Sequence, residues 1–417
     1  MTTQDNMGSH PMKIPFSRLN TTGQELEYLR QAIEGGIIAG DGAFTKRCQD
    51  WLQDYFGCAK VLLVNSCTAA LEMAAILINL QPGDEVIMPS YTFVSTANAV
   101  VLRGGIPVFV DVRPDTLNLD ETQIEAAITA NTRAIFPVHY AGVGCEMDAI
   151  LAIAARHGLN VIEDAAQGIF AHFQDKPLGT FGNLAAFSFH ATKNIVSGEG
   201  GALVINDPEL IERAEIIWEK GTNRSQFFRG EVDKYTWVDI GSSFLPSELT
   251  AAFLYAQLEQ GEAITAQRLT LWHRYHWAFA QLELDGIVQR PIIPLHSQHN
   301  AHMYYLLLPN LATRTHVLAL LKSHSIQATF HYVPLHSSPA GQKFGRTVGS
   351  MVVTDEFSDR LLRLPLSANM TAEEIDQVIV CIYQALGVRW NTRSMFYPPY
   401  DQQKVVQQDR LFSTLTE

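Results

Sequence analysis

A lysine and an aspartate, each beside an apolar run, are the residues of this chain best suited to chemistry. Asp164 closes the run Leu159-Asn160-Val161-Ile162-Glu163 and opens Ala165-Ala166-Gln167-Gly168. Lys193 follows a second run, Ala185-Ala186-Phe187-Ser188-Phe189. It lies within His190-Ala191-Thr192-Lys193-Asn194, just ahead of Ser197-Gly198-Glu199-Gly200-Gly201. A lysine amine condenses with an aldehyde to a Schiff base, and a carboxylate keeps a pyridine nitrogen protonated so that the ring accepts electrons. An acid at one strand end and a lysine just past another are what pyridoxal phosphate (PLP) chemistry needs. Taken singly, Lys193 reads as a solvated surface lysine. Asp164 reads equally as the cap of a helix starting at Ala165, although a carboxylate buried by its apolar strand needs a cationic or hydrogen-bonding partner.

Other segments add to the pair. Asn65-Ser66-Cys67-Thr68-Ala69-Ala70 joins a predicted strand to a predicted helix. Free N–H groups at a helix start, with Ser and Thr hydroxyls, make a phosphate site; the same residues also make an ordinary cap. Cys67 is expected to be a small packed residue. Pro89-Ser90-Tyr91-Thr92-Phe93-Val94-Ser95 offers two aromatics at a strand end, for stacking on a flat ring or for core packing. The glycines after Lys193 resemble a phosphate loop but lack the strand-turn-helix glycine fingerprint and the Walker lysine spacing. His331-Tyr332-Val333-Pro334-Leu335-His336 either brings polar groups to a pocket or ends a strand. His296, His299 and His302 are three apart, yet their segment is not clearly helical and offers no evident supporting shell, so no metal is expected.

These residues need a scaffold that gathers strand ends. From residue 60 the chain alternates short β-like runs with helical patterns: strands over 60–64, 85–88, 106–110, 134–138 and 159–163, and helices over 68–80, 95–103, 121–130 and 148–156. The alternation predicts an α/β fold, a mostly parallel sheet wrapped by helices, and such sheets bind ligands at the carboxyl ends of their strands. Before it, Thr22-Gly23-Gln24-Glu25 reads as a capping box for a helix with Leu26, Leu29 and Ile33 on its apolar stripe, stopped by Gly35-Gly36. After it, helices over 247–260 and 263–284 lead to a smaller C-terminal α/β part with strands over 303–308 and 326–331. That part has helices over 315–324, 354–362 and 372–386.

The expected division is 13–260 for a large cofactor-binding domain, 261–387 for a small domain and 388–417 for a tail. At 417 residues, two domains are the default. The tail from Arg389 is Gln-rich, with Pro398-Pro399, and suits either a disordered segment or one that covers a neighbour. Gly8-Ser9-His10 resembles a tag remnant.

Composition narrows the function. The chain is 47% hydrophobic and 18% charged, with a net charge of −13. This suits a soluble protein with a large core and argues against a nucleic-acid surface, though not against an anionic small molecule. Five cysteines, none in a CxxC pair, with no signal peptide, read as reduced thiols in the cytoplasm. No apolar run reaches the roughly 18 residues of a membrane span.

In their order of phosphate turn, aromatic, acid and lysine, these residues resemble the DegT family of fold-type I, PLP-dependent sugar-nucleotide aminotransferases. The resemblance runs from about Lys13 to Gly387. It includes Gly40-Asp41-Gly42, Val86–Ala97, Val161–Gly168, Ser188–Gly201, Glu219–Gly230 and His331–His336. It implies that Lys193 carries the Schiff base, Asp164 pairs with the pyridine nitrogen, and Gln167 lies near the ring hydroxyl. It implies Phe93 rather than Tyr91 for stacking, Thr68, Ala69 and Ser188 for the phosphate, and His331 and Tyr332 for the substrate. The implied reaction uses L-glutamate to aminate a nucleotide-linked 4-keto-6-deoxy sugar, dTDP-4-keto-6-deoxy-D-glucose, giving 2-oxoglutarate. The family implies a homodimer with shared sites. Relatives carry an Asn where this chain has Ser243, so a contact to the partner's phosphate is not carried over. Some relatives replace the lysine with histidine and dehydrate sugars; Lys193 argues against that branch. Amination at C3, dehydration, or a non-enzymatic PLP-binding regulator are the other readings.

Overall fold

The computed structural model describes residues 13–390; the Gly8-Ser9-His10 stretch and nearly all of the Gln-rich tail lie outside them. Two sheets of the described residues frame the site, built from β1 (Lys60–Val64), β2 (Glu85–Pro89), β3 (Ile106–Val110), β4 (Thr132–Ile135), β5 (Asn160–Asp164), β6 (Leu184–Ser188), β7 (Gly201–Ile205), β8 (Tyr304–Leu307), β9 (Arg346–Thr347) and β10 (Leu361–Leu364); three two-residue strands make a separate small sheet. Eight form one sheet in the order β1-β7-β6-β5-β4-β2-β3-β9. Every neighbouring pair is parallel except those of β7, which runs antiparallel to β1 and β6. The predicted α/β class is therefore observed. Helices cover both faces, so the strands are buried on both sides and read as continuous apolar runs; every residue of β2, β6 and β7 is buried. Because β1, β2, β5 and β6 run the same way, their carboxyl ends share one edge. Ser66 follows β1, Phe93 follows β2, Asp164 ends β5 and Ser188 ends β6.

A second core forms around the antiparallel pair β8–β10 and the helices Gly261–Ala278, Leu311–Ser323 and Ala372–Ala385. Trp272, Tyr275, Leu306, Leu321, Leu362 and Ile379 meet there. The N-terminal segment joins it: Ile14 N–H donates to the Ser325 carbonyl (3.1 Å), and Arg18 pairs with Glu374 at 2.6 Å. Buried Arg268 donates to the carbonyls of Ala301 (3.1 Å), His302 (2.8 Å) and Leu366 (3.2 Å), fixing the segment that enters β8.

Several expectations need correction. The first helix is Glu25–Glu34, but Leu26 and Ile33 are exposed; the helix buries Glu25 and Ala32. The cap is only partly the expected box. The Glu25 carboxylate accepts from the N–H groups of Thr22 and Gly23, while the Thr22 hydroxyl accepts from Gln24 instead of Glu25. The helix over 121–130 is two short turns, Glu121–Gln123 and Ile124–Ala127. The strand over 326–331 is not continuous: Ile326 bridges to Ile14 and Thr329 to Arg363, so no single neighbour offers it a ladder. The helix over 263–284 breaks at Phe279. The one over 354–362 runs Val352–Arg360, and its last two expected residues open β10.

Candidate active site

A cavity of about 560 Å³ opens at the shared carboxyl edge. Asp164 lies in it and is only 4% exposed. The backbone holds it first: its N–H donates to the Pro137 carbonyl and its carbonyl accepts from His139 N–H. Its carboxylate then splits its duties. Oδ1 accepts from Ala166 N–H at 3.2 Å, and Oδ2 accepts from the Thr96 hydroxyl at 2.7 Å. No helix starts at Ala165: residues 165–168 form a turn, so Asp164 holds a turn N–H and is a pocket acid, not a helix cap. The preceding Glu163 points to the opposite face, as strand alternation demands. It accepts from Gly179, Phe181 and Gly182 N–H groups and is bonded to His139 Nε2 at 2.8 Å, which anchors the end of β5.

Lys193 also lines the cavity. Burial pushes its amine below the ordinary lysine range; Cys67 and Asp164 oppose that shift, and Arg363 adds to it. Its loop is fixed: Lys193 N–H donates to the His190 carbonyl at 2.9 Å, and Asn194 Nδ2 to the Asn300 carbonyl at 2.9 Å. His302 Nδ1 bonds to Asn194 Oδ1 at 3.1 Å. Burial holds His302 and His331 well below the usual histidine range, with Lys193 and Arg363 adding to the effect, so both are neutral near pH 7.

Ser66 caps the helix Cys67–Leu77, its hydroxyl accepting from Ala69 N–H at 3.1 Å. Thr68 and Ser95 hydroxyls lie 2.7 Å apart, and both residues line the cavity with Ser188. Gly201 explains part of the glycine stretch. A Cβ there would lie 2.4 Å from the Ser66 carbonyl carbon and 2.5 Å from Cys67 N. Only glycine lets β7 run beneath this turn. Cys67 is buried, and burial pushes its thiol far up, as a packed and inert residue requires.

Phe93 lines the cavity with 57% of its surface free, whereas Tyr91 is fully buried against Tyr140 and Tyr332. Gln167 takes Ala141 N–H on its oxygen (2.7 Å) and donates from its nitrogen to the Tyr332 hydroxyl (3.2 Å). His331 Nδ1 is bonded to the Tyr140 hydroxyl at 3.0 Å. The structure therefore brings together Thr68, Phe93, Asp164, Gln167, Ser188, Lys193, His331 and Tyr332 around the cavity; Ala69 is buried and does not line it, its N–H donating to the Ser66 hydroxyl. Ser243 does not line the cavity; it is exposed and bridges to Glu219. His296, His299 and His302 diverge: His296 bonds to Glu146, His299 packs on Trp272, and only His302 faces the cavity.

Phe16 and Arg363, which line the cavity, and Thr96, which holds Asp164, are residues that sequence reasoning does not pick out; it names Ser95 and His302 without a role at the cofactor. Thr96 had a signal, lying one helical turn after Phe93. Arg363 had a fainter one, as the lone charge in Leu361-Leu362-Arg363-Leu364.

An acid and a desolvated lysine at strand ends, beside a hydroxyl-lined helix start, define an α/β enzyme built for an aldehyde cofactor with an anionic tail. The chain belongs to the DegT/DnrJ/EryC1/StrS aminotransferase family, whose model matches residues 20–383. It is 33% identical over 377 residues to the spore coat polysaccharide biosynthesis protein SpsC of Bacillus subtilis, covering 88% of this chain and 96% of that one. Among solved structures it resembles DesV of S. venezuelae in complex with a ketimine intermediate: TM-score 0.80, 30% identity, 90% of this chain and 99% of that one. It also resembles NtdA of Bacillus subtilis with bound cofactor PMP: TM-score 0.80, 27% identity, 91% and 86% covered. As a family member the chain is a PLP-dependent aminotransferase. Its residues fit that cofactor: a hydroxyl-lined turn for the phosphate, a fixed carboxylate for the ring nitrogen and an amine of lowered basicity for the aldehyde.

Proposed function

We propose that this enzyme transfers the amino group of L-glutamate to C4 of a nucleotide-linked 4-keto-6-deoxy sugar, with dTDP-4-keto-6-deoxy-D-glucose as substrate, acting as a homodimer. The product is then a 4-amino-4,6-dideoxy sugar nucleotide, which we propose has the galactose configuration. The observation that carries the reading is Lys193, a half-buried residue whose desolvated amine shares a pocket with Asp164. The relatives add support, because one is named for polysaccharide biosynthesis.

When bound, the cofactor supplies an aldehyde that takes up amines and a ring that accepts the electron pair of a breaking C–H bond. The chain's residues do the rest. Asp164 holds the proton on the ring nitrogen, and Thr96 and Ala166 N–H keep its carboxylate aimed. The Ser66–Ala69 turn, Ser95 and Ser188 hold the phosphate through N–H and O–H donors. Phe93 would offer a face for stacking, and Gln167, held by Ala141 N–H, would serve the ring hydroxyl. With the cofactor and donor bound, Lys193 would act as a neutral amine that removes the proton from the donor carbon and later delivers one to C4 of the sugar. The face it occupies sets the configuration at C4. His331 and Tyr332 line the cavity and would contact the sugar.

A 3-aminating or dehydrating enzyme would use the same pocket. Offering 3-keto and 4-keto substrates side by side with glutamate, and locating nitrogen in the products by NMR, separates the readings. The expected outcome is nitrogen at C4 only; nitrogen at C3, or a product lacking one water, overturns this reading.

A further inference from the structure

We infer that His302 is a positioning residue for Lys193: it grips Asn194, the next residue of the lysine loop, and so holds the amine where a cofactor aldehyde can reach it. This rests on the reading of Lys193 as the lysine that bonds the cofactor, and deepens it by naming what holds that lysine in place. Residues 190–200 form neither helix nor strand. The loop's own backbone ties are few: Lys193 N–H donates to the His190 carbonyl at 2.9 Å, and Ala191 N–H to the Gly198 carbonyl at 2.8 Å. A lysine amine sits on a flexible four-carbon stem. On a loose loop it would spread over many positions, and bonding a cofactor would then cost that freedom.

Side chains supply what the loop backbone lacks. Asn194 is 6% exposed, and both ends of its amide are used. Nδ2 donates to the Asn300 carbonyl at 2.9 Å, and Oδ1 lies 3.1 Å from His302 Nδ1. The first contact fixes which end of the amide is the oxygen, so His302 Nδ1 is the donor in the second. A neutral imidazole with its hydrogen on Nδ1 meets that need, and the burial of His302, followed by the nearby charges of Lys193, Arg363 and Arg268, favours the neutral form.

His302 is itself held from two sides. Its N–H donates to Asn300 Oδ1 at 2.9 Å, and its carbonyl accepts from Arg268 at 2.8 Å. Asn300 is fully buried, and its Nδ2 donates to the Gln167 and Ile169 carbonyls, each at 2.7 Å. Gly142 leaves the room this needs, since a Cβ there would lie 2.0 Å from Asn300 Oδ1. The segment 300–302 is thus clamped between the turn after Asp164 and the helix Gly261–Ala278 of the second core. His302 passes that fixed position on to the lysine loop.

His302 also lines the cavity, so direct contact with a bound ligand is the competing role. The two roles differ in what they ask of the lysine. PLP bonds to it: the aldehyde carbon takes the amine nitrogen, and water leaves. Pyridoxamine phosphate carries an amine in place of the aldehyde and forms no such bond. Both forms share the phosphate and the ring nitrogen. A loosened lysine loop therefore weakens PLP alone, whereas a lost contact or a damaged pocket weakens both.

The test is dialysis of the full-length chain loaded with PLP or with pyridoxamine phosphate, giving the affinity of each form in the wild type, His302→Leu, His302→Asn and Asn194→Ala. His302→Leu leaves the buried Asn194 oxygen unpaired and should lower the preference for PLP over pyridoxamine phosphate about tenfold. His302→Asn carries an N–H near the place of Nδ1 and should restore most of that preference. Asn194→Ala should act as His302→Leu does, and combining the two should add little, because both break one bond. If His302→Leu does not fold, His302→Gln decides: its N–H stands where Nε2 does, away from Asn194, so it should also lose the preference. A parallel loss of both cofactor forms, or an unchanged preference in the leucine or glutamine variant, overturns the assignment. Lys193→Ala tests the reading beneath it and should lose the preference for PLP outright. A Lys193→Ala protein that keeps the wild-type preference removes Lys193 as the cofactor lysine, whatever His302 does.

Discussion

Burial makes Lys193 useful and also costly. Its folded-state pKa is depressed from the ordinary 10.5, with desolvation the leading cause. Between the folded value and 10.5 the unfolded chain binds a proton that the folded chain does not, so lowering the pH destabilises the cofactor-free protein. The cost is complete below the folded pKa and vanishes above 10.5. Lys193→Met should therefore melt a few degrees above the wild type at neutral pH when both are cofactor-free, with the gap closing toward pH 11; calorimetric scans across that range check it. A wild type that melts higher at pH 7 contradicts the account. Asp164 and Lys193 were legible because each follows an apolar strand that the sheet had to bury. Arg363 was not, because it lies 170 residues from Lys193 (363 against 193) and reaches the cavity only when β10 packs beside it.

The decisive element is the turn between β1 and the helix Cys67–Leu77, with β7 beneath it. Gly201→Ala places a methyl within 2.5 Å of the backbone at Ser66 and Cys67, where no flexible side chain can yield. The expected result is about 2 kcal/mol or more of lost stability and a weaker grip on the cofactor, read by thermal melting and by titration with PLP. A variant with wild-type values on both would remove the turn from the phosphate site. The parallel strands were plain in the sequence, since burial on both faces leaves apolar runs. β7 was hidden behind the glycines that begin it, and the segment 326–331 looked like a strand because apolar and polar residues alternate along Ile326-Gln327-Ala328-Thr329-Phe330-His331, although its bridges go to two different neighbours. The resemblance at Gly40-Asp41-Gly42 proved structural: buried Glu248 accepts from Gly42, Phe44 and Thr45 N–H groups and caps the helix Ala43–Phe56.

On the scale of the whole molecule, the site joins two cores. The large sheet contributes Asp164, Lys193 and the phosphate turn, and the second core contributes His302 and Arg363, with Phe16 beside them. Phe93 at that edge, and Phe228 and Trp237 in the segment after the helix Ile211–Trp218, are exposed aromatics, apolar surface of the kind the proposed homodimer would cover. Light scattering should give a mass twice that of one chain, and a fully active monomer would contradict the shared-site arrangement. No helix among the described residues is long and apolar enough to cross a membrane. The central claim is the transfer of nitrogen to a sugar. The most direct measurement is mass spectrometry of the products from dTDP-4-keto-6-deoxy-D-glucose and nitrogen-15 glutamate, with wild type and Lys193→Ala side by side. The predicted result is a labelled 4-amino sugar nucleotide with one equivalent of 2-oxoglutarate from the wild type, and a rate lower by about three orders of magnitude or more from the variant. An unlabelled sugar product, or a Lys193→Ala protein turning over at the wild-type rate, would contradict it.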